Sequence, residues 1–144
     1  MTISNFISNS ESDTRRIAAD FARTLQGNEK ICLTGPLGAG KTTFVRGFVE
    51  AFGISSRDVQ SPTFTLVREY GKHKKIYHVD LYRLEKEDEI IEAGIHELLG
   101  SNELVLIEWA DRLVKFHPVP SIRISLTHEE NETRIISIET IEGA

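Results

Sequence analysis

Hydrophobic positions in this chain follow two periods, and the order of those periods predicts an α/β domain. Segments with apolar residues three and four positions apart predict helices, whereas alternating or unbroken apolar runs predict strands. The predicted helices cover residues 11–26, 43–52, 85–99 (with a break at Gly94) and 111–116. The predicted strands cover residues 30–34, 64–70, 75–82, 103–109, 121–127 and 134–140. This order predicts a three-layer α/β domain with a mixed, largely central sheet.

Residues typical of turns and helix caps lie between these predicted elements. Ser8, Ser10 or Ser12 is a candidate N-cap for the first helix, and Gly27 suits its end. The strands at 64–70 and 75–82 flank a short polar turn and predict an antiparallel hairpin. In the second of these strands, one face carries Ile76, His78 and Asp80, and the other carries Tyr77, Val79 and Leu81.

Size and composition indicate one domain spanning residues 1–144. The 40% of residues that are hydrophobic can bury one core. No apolar stretch approaches the roughly 18 residues of a membrane span, and the N-terminus lacks the basic region of a signal peptide. The single cysteine, Cys32, excludes a disulfide framework or a zinc site and predicts a buried, inert thiol. We therefore expect a cytoplasmic protein without a membrane partner.

The charge balance argues against a protein that grips nucleic acid alone. The net charge is −5, and one basic run, at residues 72–75, lies in the predicted hairpin turn. This run is either a solvated loop or a contact for a partner or RNA. The acidic segment 85–97 is likewise either a solvated helix face or a contact surface. Any contact with RNA is expected to need other subunits.

The most specific motif lies between the second predicted helix and the strand before it. Residues 35–42 fit G-x-x-x-x-G-K-[ST], a loop whose backbone amides cradle phosphates at a helix N-terminus. Lys41 is expected to reach the β- and γ-phosphates, and the Thr42 hydroxyl to bind Mg²⁺. The alternative is an ordinary glycine-rich turn. The expected phosphate-binding residues are Gly35, Leu37, Gly38, Ala39, Gly40, Lys41, Thr42 and Thr43.

An acidic residue at the end of a neighbouring buried strand would complete such a site. Four apolar residues followed by Glu108 supply it, so Glu108 is a candidate Mg²⁺ ligand, or else a strand-end surface carboxylate. Trp109 either stacks near the nucleotide or belongs to the core. Asp80 is a second candidate, which orients a water or acts as a base, or else forms a salt bridge with Arg83 or another basic residue.

Other positions refine the chemistry. Thr63 is a candidate switch residue that senses the γ-phosphate, or a residue of the turn that enters a strand. The five histidines show no ligand spacing and are expected to have solvated or core roles. Asp-x-x-Gly and Asn/Thr-Lys-x-Asp motifs do not occur, which argues against a GTPase and favours ATP. The arginines do not crowd one segment as a kinase lid would require.

Four motifs taken together resemble a known family. GPLGAGKTT (35–43), SPTFTLV (61–67), HVDLYRL (78–84) and LIEW (106–109) occur in the order and spacing of the bacterial tRNA threonylcarbamoyladenosine biosynthesis ATPases, the TsaE/YjeE type. The resemblance covers most of the chain. Phe64 stands where the family as often carries Tyr.

This resemblance implies a P-loop NTPase fold and an ATPase that uses ATP and Mg²⁺. Its implied partners are the catalytic threonylcarbamoyl-transferase subunit and that subunit's non-catalytic relative, the TsaD- and TsaB-type proteins, with tRNA contacted only through the complex. On matching positions, the implied catalytic residues are Lys41, Thr43, Asp80 and Glu108, with Thr42 and Glu108 on the metal and Thr63 in the switch. Contacts near adenine are expected from the terminal segments, at Glu11, Thr14 and Arg134.

Two other functions fit the same motifs. One is a small-molecule or nucleoside kinase, for which 144 residues leave little room for an acceptor pocket and lid. The other is a non-enzymatic switch that binds a partner only when ATP is loaded. For an ATPase, the absence of an obvious arginine finger predicts slow turnover alone and activation by partners.

Overall fold

The computed structural model describes residues 2–36, 39–59, 67–72, 75–81, 94–108 and 122–140. These residues form seven strands, three α-helices and one 3₁₀ turn. In chain order the elements are β1 (Thr2–Ser8), α1 (Glu11–Ala22), β2 (Lys30–Thr34), α2 (Lys41–Glu50), the 3₁₀ turn (Ser56–Asp58), β3 (Val67–Tyr70), β4 (Ile76–Asp80), α3 (Ile95–Leu99), β5 (Leu104–Glu108), β6 (Ile122–His128) and β7 (Arg134–Thr140).

The strands form one mixed sheet in the order β1-β7-β6-β2-β5-β4-β3. The strand β2 lies at its centre and runs parallel to both neighbours, β5 and β6, and β4 runs parallel to β5. The outer pairs are antiparallel. A strand with neighbours on both sides and cover on both faces is largely apolar, as the buried residues of β2 and β5 are, apart from Lys30 and Glu108 at the strand ends.

The two faces of the sheet pack on different helices, which confirms the predicted three layers. Strand β5 shows how a continuous apolar run serves both faces. Its Leu104 and Leu106 pack with the residues of α1 and α2, whereas Val105 and Ile107 pack with α3. The α3 cluster is small and comprises Val79, Leu81, Ile95, Leu99, Val105 and Ile107.

Helices α1 and α2 approach each other closely at a glycine. A Cβ added to Gly47 would lie 2.5 Å from the Cα of Arg15 and also clash with its carbonyl oxygen. Beside this contact, Phe48 packs its ring 6.2 Å from Phe21 and 5.6 Å from Phe52, centroid to centroid. The position of α2 against the sheet is therefore set by backbone contact as well as by aromatic packing.

The sequence prediction missed β1. This strand pairs with β7 along its whole length at one edge of the sheet. Six of its seven residues are exposed, including Ile3 at 56% and Ile7 at 67%, and only Ser8 is buried. A strand that is exposed to solvent on both faces shows no alternation of burial, so its sequence has no period-2 hydrophobic pattern by which to predict it.

Most other predicted boundaries hold to within two residues, but α1 ends at Ala22, four residues before its predicted end at Gln26. Helix α1 begins after Ser10, whose hydroxyl accepts a 3.0 Å hydrogen bond from the Asp13 amide. Helix α2 begins at Lys41, two residues before its predicted start. Residues 64–66, 85–93 and the predicted helix 111–116 lie outside the described residues. No helix in the described ranges is long and apolar enough to cross a membrane.

Candidate functional site

The candidate site lies where β2 leaves the sheet and α2 begins. Gly40 is the N-cap of α2 and has a left-handed φ of 99°, with no side chain capping the helix. The first amides of a helix have no partner within it. The direction of these amides, together with the helix dipole, gives the start of α2 the properties of an anion site.

Glycine is required at the first position of the loop by a close approach to β6. Gly35 has a φ of 153°, and a Cβ there would lie 2.7 Å from the carbonyl oxygen of Leu126. Ala39, on the other side of the loop, is fully buried. Its backbone amide donates a 3.1 Å hydrogen bond to the Pro36 carbonyl oxygen. Leu37 and Gly38 lie outside the described residues.

Glu108 lies beside this loop and not on the surface. It ends β5 in register with Leu33 of β2. Its Oε1 is 3.4 Å from Nζ of Lys41, and the two side chains are only 10% and 11% exposed. The strand-end surface carboxylate considered for Glu108 is therefore wrong. The ion pair joins the loop helix to the carboxyl edge of the neighbouring strand.

A buried histidine holds the other oxygen of this carboxylate. Nε2 of His78, a residue 1% exposed, is 2.6 Å from Oε2 of Glu108. The Tyr70 hydroxyl is 3.3 Å from Nδ1 of the same ring. Because the carboxylate is an acceptor, Nε2–H donates to Glu108; in the neutral ring, Nδ1 is then the acceptor for the Tyr70 hydroxyl. Lys41, Glu108, His78 and Tyr70 thus form a buried chain that crosses four elements.

These contacts decide the ionisation of Glu108. Burial raises the pKa of its carboxyl group, but the hydrogen bond from His78 and the Lys41 ammonium together outweigh burial. The net effect holds the pKa of Glu108 below its ordinary value. The group is therefore a carboxylate at neutral pH, which is the state that a cation needs.

Asp80 and Glu108 are brought together by the sheet. They are register partners at the carboxyl ends of the parallel strands β4 and β5, so their Cα atoms are separated by about one strand spacing, ~4.8 Å. Asp80 is half-buried, and so are Thr42 and Thr43 in the first turn of α2. Two carboxylates and two hydroxyls thus border the loop.

This donor set suits Mg²⁺. The oxygens of Glu108 and Thr42 are hard ligands, and Mg²⁺ is usually bound by one or two carboxylates together with phosphates and water. Within the described part of the chain, no three His, Cys, Asp or Glu side chains are grouped as a metal cluster. A cage made only by protein ligands is thus not seen there, and a metal shared with phosphates fits the residues better.

The residues predicted from the terminal segments fall in two places. Arg134, at the start of β7, lies at the loop, since a Cβ on Gly40 would be 3.8 Å from its Nε. Glu11 is exposed in the first turn of α1. Thr14 is buried, and its hydroxyl is 2.6 Å from that of Ser8, so it joins α1 to β1 and presents almost no surface. Thr63 and Trp109 lie outside the described residues.

Sequence reasoning missed His78 as part of the site, although a usable signal existed. The alternation in the β4 segment already set His78 and Asp80 on one face, and the structure confirms that arrangement. The sequence alone did not show that β5 lies beside β4 in the register that brings His78 next to Glu108. Cys32 is buried, as predicted.

Comparisons with known proteins agree with the motif set. The family model described as "Threonylcarbamoyl adenosine biosynthesis protein TsaE" matches residues 8–136. A tRNA threonylcarbamoyladenosine biosynthesis protein TsaE from Rickettsia bellii is 40% identical over 139 residues, which are 96% of each chain. The Bacillus subtilis protein of the same name is 35% identical over 130 residues, 90% of this chain and 80% of its own.

The structural likeness extends over the same region. The crystal structure of Bacillus subtilis YdiB matches with a TM-score of 0.78 at 26% identity, covering 97% of this chain and 86% of that one. This neighbour and the mixed sheet confirm the predicted α/β fold of P-loop type.

Proposed function

Because the chain belongs to the TsaE family of threonylcarbamoyl adenosine biosynthesis proteins, we propose that it supports tRNA N6-threonylcarbamoyladenosine formation as a Mg²⁺-dependent ATPase. The observation that carries the ATPase proposal is the 3.4 Å pair between Lys41 and Glu108. It brings the lysine of the phosphate loop and the acid of the neighbouring strand to one point. Lys41 on α2 and Glu108 on β5, the two parts of the proposed ATP site, are far apart in the sequence.

Each residue of the site has a role that follows from its position. The first backbone amides of α2 and the Lys41 ammonium bind the phosphates. Thr42 and Glu108 would hold Mg²⁺, which when bound neutralises charge that develops on the phosphate oxygens. Asp80, beside Glu108, orients the attacking water, and Thr43 assists from the same turn. Arg134, adjacent to Gly40, contacts the nucleotide.

Nucleotide binding changes the partner of Lys41. Without phosphate, the ammonium lies beside Glu108. A triphosphate offers it several negative oxygens, and the pair is then exchanged for contacts with phosphate. Oε1 of Glu108 becomes available for the cation at the same moment. Phosphate and metal are therefore expected to bind together, each improving the affinity for the other.

The partners proposed are those that the family resemblance implies, the TsaD- and TsaB-type proteins, with tRNA contacted only through that complex. The net charge of −5 supports an indirect role with RNA. The proposed location is the cytoplasm. Hydrolysis is expected to be slow in isolation, because the motif set supplies no arginine finger.

Titration calorimetry tests the nucleotide site. Wild type is expected to bind Mg²⁺·ATP, and Lys41→Ala to lose detectable binding. Lys72→Ala, which changes an exposed lysine in the β3–β4 turn, is the matched control and should bind as wild type does. Unchanged ATP affinity in Lys41→Ala would refute the site.

Turnover tests the role of the partners. Phosphate release is measured for the protein alone and with the TsaD- and TsaB-type proteins from the same source. The proposal expects measurable release that rises when both partners are present. Equal turnover in the two conditions would contradict activation, and the absence of any release would leave an ATP-dependent binding switch in place of an ATPase.

A further inference from the structure

We propose that His78, supported by Tyr70, is a positioning residue that holds Glu108 in the geometry which binds the magnesium ion of the nucleotide. This inference rests on the proposed ATP site and adds roles for two residues outside the 35–42 motif: Tyr70, and His78, which opens the HVDLYRL segment but had no role assigned to it. His78 contacts Glu108, and not the nucleotide, so its effect passes through the carboxylate.

The first argument is that the two oxygens of the Glu108 carboxylate have different partners. Oε2 is held by His78 at 2.6 Å, and Oε1 faces Lys41 at 3.4 Å. A charge-assisted N–H···O hydrogen bond is about 2.7–2.9 Å. The His78 contact is therefore the tight one, and the Lys41 contact is the one that can be exchanged. The side chain stays fixed at one oxygen while the other changes partner.

The second argument is that the histidine is itself fixed. The ring is 1% exposed and has a hydrogen-bond partner at each nitrogen. With Nε2–H donating to Glu108, Nδ1 of the neutral ring is an acceptor, and the Tyr70 hydroxyl at 3.3 Å can donate to it. Ligand side chains of metal sites are commonly oriented in this way by a second layer of hydrogen bonds.

The third argument is positional. Tyr70 lies on β3, His78 on β4 and Glu108 on β5, so the contacts run across three adjacent strands to the loop helix. Tyr70 is only 4% exposed, and its ring lies 6.2 Å from that of His78. The Glu108 carboxylate is therefore held through side chains of two further strands and not by the end of β5 alone.

The test compares ATP affinity with and without Mg²⁺. Calorimetric dissociation constants are measured in Mg²⁺ and in chelator, and their ratio reports the contribution of the metal. His78→Leu is expected to reduce this ratio by about 10- to 100-fold, the usual effect of removing such a partner. His78→Gln, which retains a donor for Glu108 and an acceptor for Tyr70, should restore most of it. Tyr70→Phe should shift the ratio in the same direction by a smaller factor.

Val79→Ala is the matched control. Val79 adjoins His78 and is fully buried, but it packs on the opposite face with α3. Its truncation lowers stability without touching Glu108, so the ratio should not change. A ratio that falls equally in Val79→Ala, or that stays at the wild-type value in His78→Leu, would overturn the proposal.

A measurement on the ligand-free protein provides a second readout. Nitrogen-15 NMR of the histidine side chains should show the His78 proton on Nε2 in wild type, with more of the Nδ1–H form in Tyr70→Phe. A wild-type ring that carries its proton on Nδ1 alone would overturn the assignment, because Nε2 could not then donate to Glu108. The two proposals fail differently: if wild type gains no ATP affinity from Mg²⁺, the proposed function fails, whereas a wild-type gain that His78→Leu retains refutes the role of His78 alone.

Discussion

Replacement of Gly47 by alanine tests how closely α1 and α2 are packed. Gly47 lies in the interior of α2, where glycine costs about 1 kcal/mol relative to alanine. On helix propensity alone, Gly47→Ala would stabilise the protein. The structure predicts the opposite, because the glycine faces the backbone of α1.

The magnitude follows from the distances. The added Cβ would lie 2.5 Å from the Cα of Arg15 and 2.8 Å from its carbonyl carbon, and closer still to the carbonyl oxygen. Backbone atoms cannot rotate away as a side chain can, so the helices must separate. Overpacking costs typically 1–3 kcal/mol, and we expect the upper end here. After the gain in propensity, the net loss is about 2 kcal/mol.

Urea unfolding followed by circular dichroism measures this loss. Gly47→Ala should lower the free energy of unfolding by about 2 kcal/mol, and the melting temperature by roughly 4–8 °C for a domain of this size. Gly100→Ala is the control, since a Cβ there meets no atom closer than 3.7 Å. A Gly47→Ala protein more stable than wild type would refute the close approach.

Three further substitutions probe features near the site and the sheet. The Glu29 carboxylate accepts hydrogen bonds from three backbone amides; burial raises its pKa, but these bonds outweigh burial and lower it. The stabilisation by Glu29 is therefore fully present above the unfolded-state pKa of 4.5 and is lost as pH falls through the lowered folded-state pKa. In urea titrations, the difference in unfolding free energy between wild type and Glu29→Gln should therefore shrink below pH 4.5. Lys30→Met removes a buried ammonium that donates to three backbone carbonyls, and it should lower the free energy of unfolding by about 2–3 kcal/mol. The control, Lys72→Met at an exposed position, should lower it by less than about 0.5 kcal/mol. Similar losses in the two variants would contradict this role of Lys30. Gly35→Ala places a Cβ 2.7 Å from the Leu126 carbonyl oxygen and should weaken ATP binding more than tenfold in calorimetry, a result that wild-type affinity would exclude.

The sequence predicted well where one residue type determines local geometry. The strand at Lys30–Thr34 and the strand at Arg134–Thr140 have the predicted bounds, because their apolar patterns match their burial. The need for glycine within the 35–42 motif was equally clear, since Gly35 and Gly40 occupy backbone conformations that favour glycine.

Prediction failed where the determining partner is remote in sequence. The pairing of β1 depends on β7, at the other end of the domain, and its own residues carry no pattern of burial. His78 was expected to have a solvated or core role, and its side chain is buried as a core role requires, but histidine spacing alone contains no information about its contact with Glu108. The register of β4 on β5 supplies that information, and only the folded sheet shows it.

The place of β2 at the centre of the sheet has a consequence for synthesis of the chain. The phosphate loop is translated early, but both neighbours of β2 and the carboxylate of Glu108 emerge from the ribosome much later. Contacts so distant in sequence form slowly, and a nascent chain that ends before β6 lacks one flank of the loop strand. We therefore expect stalled nascent chains to acquire nucleotide affinity only after β6 has been released, which a length series of such chains would show.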